Sequence, residues 1–290
     1  MFDLLLYGIV VGSWGTSWLA IQYQLGSVAP EASLVYRFAL AALVMLLFCV
    51  VARQSLKFRL AFHGRFALQG LLLFCVNYWL IYLGSRDLTS GLVAIGFSTL
   101  PLWSLFLGAL FFEKALERQV LIGALVGLVG LCLVFWPEIE QANPTRQMTA
   151  MILVILGTLS ASTGLLLAGE NKQRGLPVVQ GNALAMAYGA LFCVALVTLR
   201  GVPFHFDWAP GYVMSLLFLS LISTVVAFAA YLTLVRRIGA GRAAYASVLF
   251  PLIALALSSW VEGYQWSLPA VVGVVMVLAG NMLVMRRRTS

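Results

Sequence analysis

Residues 88–112 read LTSGLVAIGFSTLPLWSLFLGALFF, an unbroken apolar run with no charged side chain and one proline, Pro101, in its middle. A bilayer-spanning helix needs about 20 such residues at about 1.5 Å rise each, so this stretch spells a membrane helix. Its polarity does not alternate, which excludes the roughly ten-residue alternating strands of a membrane β-barrel. Working outward between charge and turn clusters, the same reading places helices at about 4–24, 30–52, 64–84, 88–112, 117–136, 148–170, 177–199, 209–235, 240–261 and 266–285. Composition agrees, with 62% hydrophobic and 10% charged residues where a soluble domain carries about 25% charged. The expectation is an all-α membrane protein of ten transmembrane helices with no room for a soluble domain.

The net charge of +8 is not gathered into a basic patch interleaved with aromatics, so nucleic acid is not an expected partner. It reads instead as a topology signal. With the N-terminus in the cytoplasm, fourteen basic residues fall inside, from Arg53, Lys57 and Arg59 to Arg286, Arg287 and Arg288, against Arg86, Arg146 and Arg200 outside. Both termini are then cytoplasmic. Cys49, Cys75, Cys132 and Cys193 each lie inside an apolar run without metal or redox spacing, so they are expected to pack, and no metal or cofactor is expected. The first apolar run follows Asp3 with no basic leader and is expected to be a retained helix.

Sliding the chain against itself by 150 positions lays Gly91 on Gly241, Ala94 on Ala244, Pro101 on Pro251, Leu105 on Leu255, Gly123 on Gly273 and Gly130 on Gly280. Each copy carries an acid shortly after its proline, Glu113 and Glu262. The duplication divides the chain into a first five-helix unit at 1–137, a linker or external loop at 138–147, and a second unit at 148–290. Because five is odd, the second unit enters the membrane from the opposite face. The result is a pair of inverted repeats about a central cavity, the structural logic of alternating access.

This arrangement resembles the drug/metabolite transporter superfamily, and within it the EamA type, on the Trp14-Gly15 pair, Pro30 with Arg37, and the two proline-acid-glycine series. Overall it looks most like the bacterial exporters of aromatic amino acids. The resemblance implies a multi-pass protein of the bacterial inner membrane that moves a small metabolite through a cavity shared by both repeats.

Polar and amphipathic aromatic side chains on one helix face are the candidates for lining that cavity, because facing lipid they would be wasted or costly. Ser13 and Ser17 share one stripe of the first helix and Trp14 and Trp18 the adjacent one; Tyr78 and Tyr82 follow the same spacing beside Asn77. Ser98, Ser160, Thr163, Ser223, Thr224 and Tyr245 complete the substrate-binding set. For Trp18, Tyr82 and Tyr231, near helix ends, an interfacial aromatic belt is the competing reading. Gly91, Pro101, Gly241 and Pro251 occupy matched positions where a helix could bend, although a static kink would serve packing equally.

An aromatic amino acid offers a flat ring and a zwitterionic head, and needs stacking partners and hydrogen-bond groups rather than a counter-charge. A phosphorylated cargo would call for Lys or Arg within the spans, where only Arg37 falls. Arg37 itself is open to two readings: substrate contact, or a structural role pairing with Asp87, capping helix-end carbonyls or snorkelling outward. No phosphate-binding GxxxxGK[ST] loop occurs, and the acids and histidines sit at span ends or in connections. The function expected is therefore facilitated or exchange transport of aromatic and other neutral amino acids, by a chain that suffices as a monomer. The alternative is an exporter of apolar drugs or other metabolites. An intramembrane enzyme would need paired acids, a nucleophile dyad or metal ligands inside the spans, and none is present in the sequence.

Overall fold

The computed structural model describes residues 2–112, 118–139, 144–238, Ala243 and 246–285. Every regular element among them is helical: α1 Phe2–Gln22, α2 Pro30–Val51, α3 Leu60–Gly84, α4 in two pieces Ser90–Ser98 and Leu100–Phe112, α5 Arg118–Ile139, α6 Pro144–Gln173, α7 Val178–Leu199, α8 from Pro210 to Ile238, α9 Ala246–Glu262 and α10 Leu268–Met285. Seven of them, α1 to α4 and α6 to α8, are long and apolar enough to cross a bilayer; α9, α10 and the Leu121–Pro137 core of α5 are shorter apolar helices. Leu43, Leu47, Val50, Phe106, Leu110, Leu125 and Val275 stay exposed on the outer faces, as hydrocarbon rather than water would permit.

Pro30 and Pro210 open α2 and α8 at the first helical position, where the missing N–H costs nothing and the fixed φ already suits a helix. Of the stretch expected as a linker, 138–147, the described residues belong to helices: α5 runs two residues past Pro137, and α6 starts at Pro144.

The packing pairs α5 with α10, α2 with α7, α1 with α9, and α6 with both α3 and α4. Small residues set the closest approaches. A Cβ on Gly273 would stand 2.5 Å from the Gly130 carbonyl oxygen, and one on Gly280 would stand 2.5 Å from that of Gly123. In α3, a Cβ on Gly70 would stand 2.3 Å from the Ala185 carbonyl oxygen of α7. Membrane helices associate through such backbone proximity because lipid offers no hydrophobic drive between them.

Polar contacts gather at the two ends of the bundle. At one end Arg237 pairs with Asp3, Arg65 with Glu170 at 2.5 Å, and Gln119 Nε2 donates to the Leu283 carbonyl. At the other, Arg146 pairs with Asp87 at 2.6 Å, Arg200 with Glu31 at 3.2 Å, and Ser27 Oγ donates to Asp207 Oδ2 at 2.6 Å. That second end also exposes Trp208, Trp260 and Trp266, the residue type enriched where a bilayer meets water. Glu262, at the end of α9, accepts from the Ser90 backbone N–H at 3.0 Å and from its hydroxyl. A carboxylate at a helix N-terminus satisfies orphan donors and the helix dipole together, so this acid of the repeated motif caps α4. Its counterpart Glu113 lies outside the described residues.

Two irregularities shape the interior. α4 breaks at Thr99, two residues before Pro101, which lacks an N–H and crowds the preceding turn. The Leu102 N–H then reaches Thr99 O at 2.9 Å instead of Ser98 O, and Asn281 Nδ2 of α10 takes the vacated Ser98 carbonyl at 2.8 Å. By contrast Pro251 sits inside a continuous α-helical stretch, Ala246–Leu257. The second irregularity is π-helical widening inside α3 (Leu71–Val76) and α8 (Phe218–Val226), with Thr224 Oγ1 donating to Leu219 O five residues back. Such bulges rotate the side chains that follow and recur at functional sites.

Candidate functional site

A cavity of about 350 Å³ opens where α1, α2, α3, α4, α6, α7, α8 and α9 converge. Its walls are mostly rings. Trp18 lies 5.0 Å from Phe97 and 6.1 Å from Phe250 between ring centroids, and Trp14 lies 5.2 Å from Tyr231. Tyr78 and Phe74, also in the lining, flank the buried Phe38 ring at 5.1 and 5.3 Å. Trp14 Nε1 donates to the Ser223 carbonyl at 3.2 Å, tying α1 to the π-helical stretch of α8.

Of the residues expected from sequence, Trp14, Ser17, Trp18, Asn77, Tyr78, Ser223 and Thr224 line this cavity together with Pro101. The helix pitch explains Trp14 and Trp18, one turn apart on α1. The π segments bring Asn77, just past the widening in α3, and Ser223 and Thr224, within that of α8, to the same space.

The others lie elsewhere. Ser13 is buried outside the lining. Ser98 Oγ donates to Ile95 O at 2.7 Å within its own helix, and Thr163 Oγ1 to Leu159 O at 3.0 Å. Ser160 Oγ donates across to Leu72 O at 2.8 Å, meeting a carbonyl in the π segment of α3. Tyr82 is fully buried behind the cavity, donating to Gln24 Oε1 at 2.6 Å. Gly91 packs against α9, where a Cβ would meet Leu255 Cδ2 at 2.8 Å, and Pro251 is buried within α9. Tyr245 and Gly241 lie outside the described residues.

Sequence reasoning missed Phe97, Leu100, Phe228, Ser247 and Phe250, which also line the cavity. The repeat register carries a signal for four of them: shifted by 150, Phe97 falls on Ser247 and Leu100 on Phe250. Apolar residues stand out poorly in an apolar chain, and only this pairing marks them.

Arg37 is the charged residue of the lining. It is 2% exposed, so it does not snorkel, and Asp87 is held by Arg146 rather than by Arg37. Among the described residues its guanidinium has one long hydrogen bond, from Nη1 to Tyr82 Oη at 3.5 Å, and Nε has no partner. Its Cζ stands 4.4 Å from the Tyr78 ring centroid and 5.3 Å from that of Phe38. Cation–π contacts return about 0.5–2 kcal/mol each, set against about 2.5–3.5 kcal/mol for placing an Arg at mid-membrane on insertion scales. The guanidinium is thus tolerated, a cation set in the cavity wall.

Comparison with known proteins bears on both halves of the chain. The EamA-like transporter family matches residues 2–136 and again residues 148–286. Protein PagO of Salmonella typhimurium is 24% identical over 96% of this chain and 93% of its own length. An uncharacterised inner membrane transporter of Escherichia coli, YedA, is 23% identical over 93% of this chain and 88% of its own. The uncharacterised transporter in the trpA 3' region of Buchnera aphidicola subsp. Schlechtendalia chinensis is 24% identical over 90% of this chain and 85% of its own. One solved crystal structure superimposes with a TM-score of 0.68 at 15% identity over 99% of both chains, a likeness of fold.

Proposed function

Since this chain belongs to the EamA-like transporter family and is a multi-pass membrane transporter rather than an enzyme, we propose that it exports aromatic and other neutral amino acids across the bacterial inner membrane. The observation that carries the reading is the ring-walled cavity. Its volume of about 350 Å³ lies at the lower end of the about 300–1,000 Å³ typical of small-ligand sites, and suits one amino acid better than a nucleotide sugar. Trp14, Trp18, Phe97, Tyr78 and Phe250 offer stacking faces, and Ser17, Asn77, Ser223 and Thr224 offer polar groups.

Transport is by alternating access between two inverted five-helix units, 1–137 and 148–290, with both termini cytoplasmic and one chain sufficient. The double family match supports the duplication. So does the packing, in which α1 of the first unit meets α9 of the second while α6 of the second meets α4 of the first, and α2–α7 and α5–α10 pair like with like. The matched π segments of α3 and α8 add to this. Gly91, Pro101, Gly241 and Pro251 are the bending points of the exchange in this reading, which the break of α4 at Thr99, beside Pro101, supports. The described lining contains no Asp, Glu or His. Proton carriers in transporters place such groups within the bilayer, so movement is facilitated or by exchange.

Counterflow of labelled phenylalanine, tyrosine and tryptophan into proteoliposomes tests the proposal. Uptake driven by unlabelled aromatic amino acid inside, without an imposed pH gradient, is the expected result. Competition by apolar drugs but not by amino acids would favour the alternative of a drug exporter, and strict dependence on a pH gradient would overturn the coupling.

A further inference from the structure

The cavity holds one fixed charge, and among the described residues no counter-ion meets it. A guanidinium is a cation with five donors and no acceptor, so buried it calls for an anionic or carbonyl partner. Glu31, two turns earlier in α2, is engaged by Arg200 at 3.2 Å and accepts from Trp79 Nε1 at 2.9 Å. Asp87 is engaged by Arg146 at 2.6 Å. A planar fork of five donors with one long hydrogen bond keeps capacity for a bidentate acceptor.

Two further residues of the lining, Asn77 and Trp18, each carry a buried polar atom with no partner among the described residues. Asn77 is 1% exposed; its Nδ2 donates to Leu73 O at 3.1 Å, and among the described residues its Oδ1 accepts from nothing. Trp18 Nε1 is a buried donor without a partner among the described residues. Unpaired buried polar atoms are uncommon, and each calls for an explanation. Two donors and an acceptor gathered in the lining of one cavity share an explanation if their missing partner is the cargo.

We infer that Arg37 binds the carboxylate of the cargo and that Asn77 Oδ1 accepts from its ammonium, so that the cavity reads an α-amino-acid head while its rings hold the side chain. The inference rests on the amino-acid reading and adds the groups that distinguish an amino acid from an apolar drug. Tyr82 is a positioning residue: its hydroxyl proton is committed to Gln24, which leaves its oxygen to accept from Arg37.

The test measures thermal stabilisation of the purified protein, with counterflow alongside, for four probes: phenylalanine, phenethylamine, phenylalanine methyl ester and 3-phenylpropionate. In the wild type, phenethylamine and the ester, which lack a free carboxylate, should bind at least about tenfold more weakly than phenylalanine, with 3-phenylpropionate between. Arg37→Gln should lose at least about tenfold in phenylalanine affinity, Arg37→Lys less, and Asn77→Leu should erase the preference for phenylalanine over 3-phenylpropionate. The wild-type probe series stands even if a variant fails to fold. If phenylalanine is carried but phenethylamine and the ester bind equally well, the Arg37 assignment falls and the amino-acid reading survives. Should 3-phenylpropionate bind and phenylalanine not, the amino-acid reading and the role of Asn77 fall while Arg37 stands. Binding of none of the four overturns both.

Discussion

Tyr78 works through its ring, whose centroid lies 4.4 Å from Arg37 Cζ and which lines the cavity. Tyr78→Ala should lower counterflow by about tenfold at equal expression, consistent with losing one cation–π contact of about 0.5–2 kcal/mol together with a stacking wall. Tyr78→Phe, which keeps the ring, should retain most of the rate. Cys132→Ala, on an exposed face of α5, is the comparison and should leave the rate unchanged; an equal loss in both would remove Tyr78 from the site. Tyr78 and Asn77 were legible as a polar stripe deep in an apolar helix. Arg37 was visible as a lone intramembrane charge, yet its role was not. That depended on where Asp87 and Glu31 spend their charges, which are contacts between residues far apart in the chain.

At the scale of the helix, close packing and local irregularity do separate jobs. The α5–α10 pair, held by Gly123, Gly130, Gly273 and Gly280, contributes none of its described residues to the cavity lining and packs as a support. Gly273→Leu would drive a side chain into the Gly130 backbone and should cost about 1–3 kcal/mol or more of stability. Thermal unfolding in detergent should show the lowered midpoint, with the cargo preference of whatever folds unchanged; an unshifted midpoint would refute the packing role. Asn281→Ala leaves the buried Ser98 carbonyl without a donor, at about 1–3 kcal/mol, and should loosen the α4 break, seen as faster amide exchange around Thr99. Pro101 and the glycine spacing were readable in advance. The π segments were not, because no residue in LLLFCV or FLSLISTVV demands i→i+5 bonding; the widened turns are where Ser160 Oγ meets Leu72 O and Trp14 Nε1 meets Ser223 O, contacts from distant parts of the chain.

Across the whole molecule, the polar contacts sort the helix ends into two sets, and the proposed topology assigns the set holding Ser27, Asp87, Arg146 and Asp207 to the outside. Single cysteines introduced as Ser27→Cys or Gly201→Cys should react with a membrane-impermeant thiol reagent added to intact cells, while Gly175→Cys should react only after lysis. The reverse pattern would invert the orientation. Sequence alone determined that the chain is helical and membrane-embedded, and it pointed to a duplicated pattern, because hydropathy and a repeat of glycines and prolines are carried by residues near one another in the chain or at a constant offset. It also supplied the polar stripes of α1 and α3. Only the tertiary structure decided which of those stripes share one cavity, that Tyr82 stands behind it, and that Arg37 lines it without a counter-ion among the described residues. The physical reason is that a buried charge or polar atom is defined by its partners, and in a bundle of crossing helices those partners come from other parts of the chain.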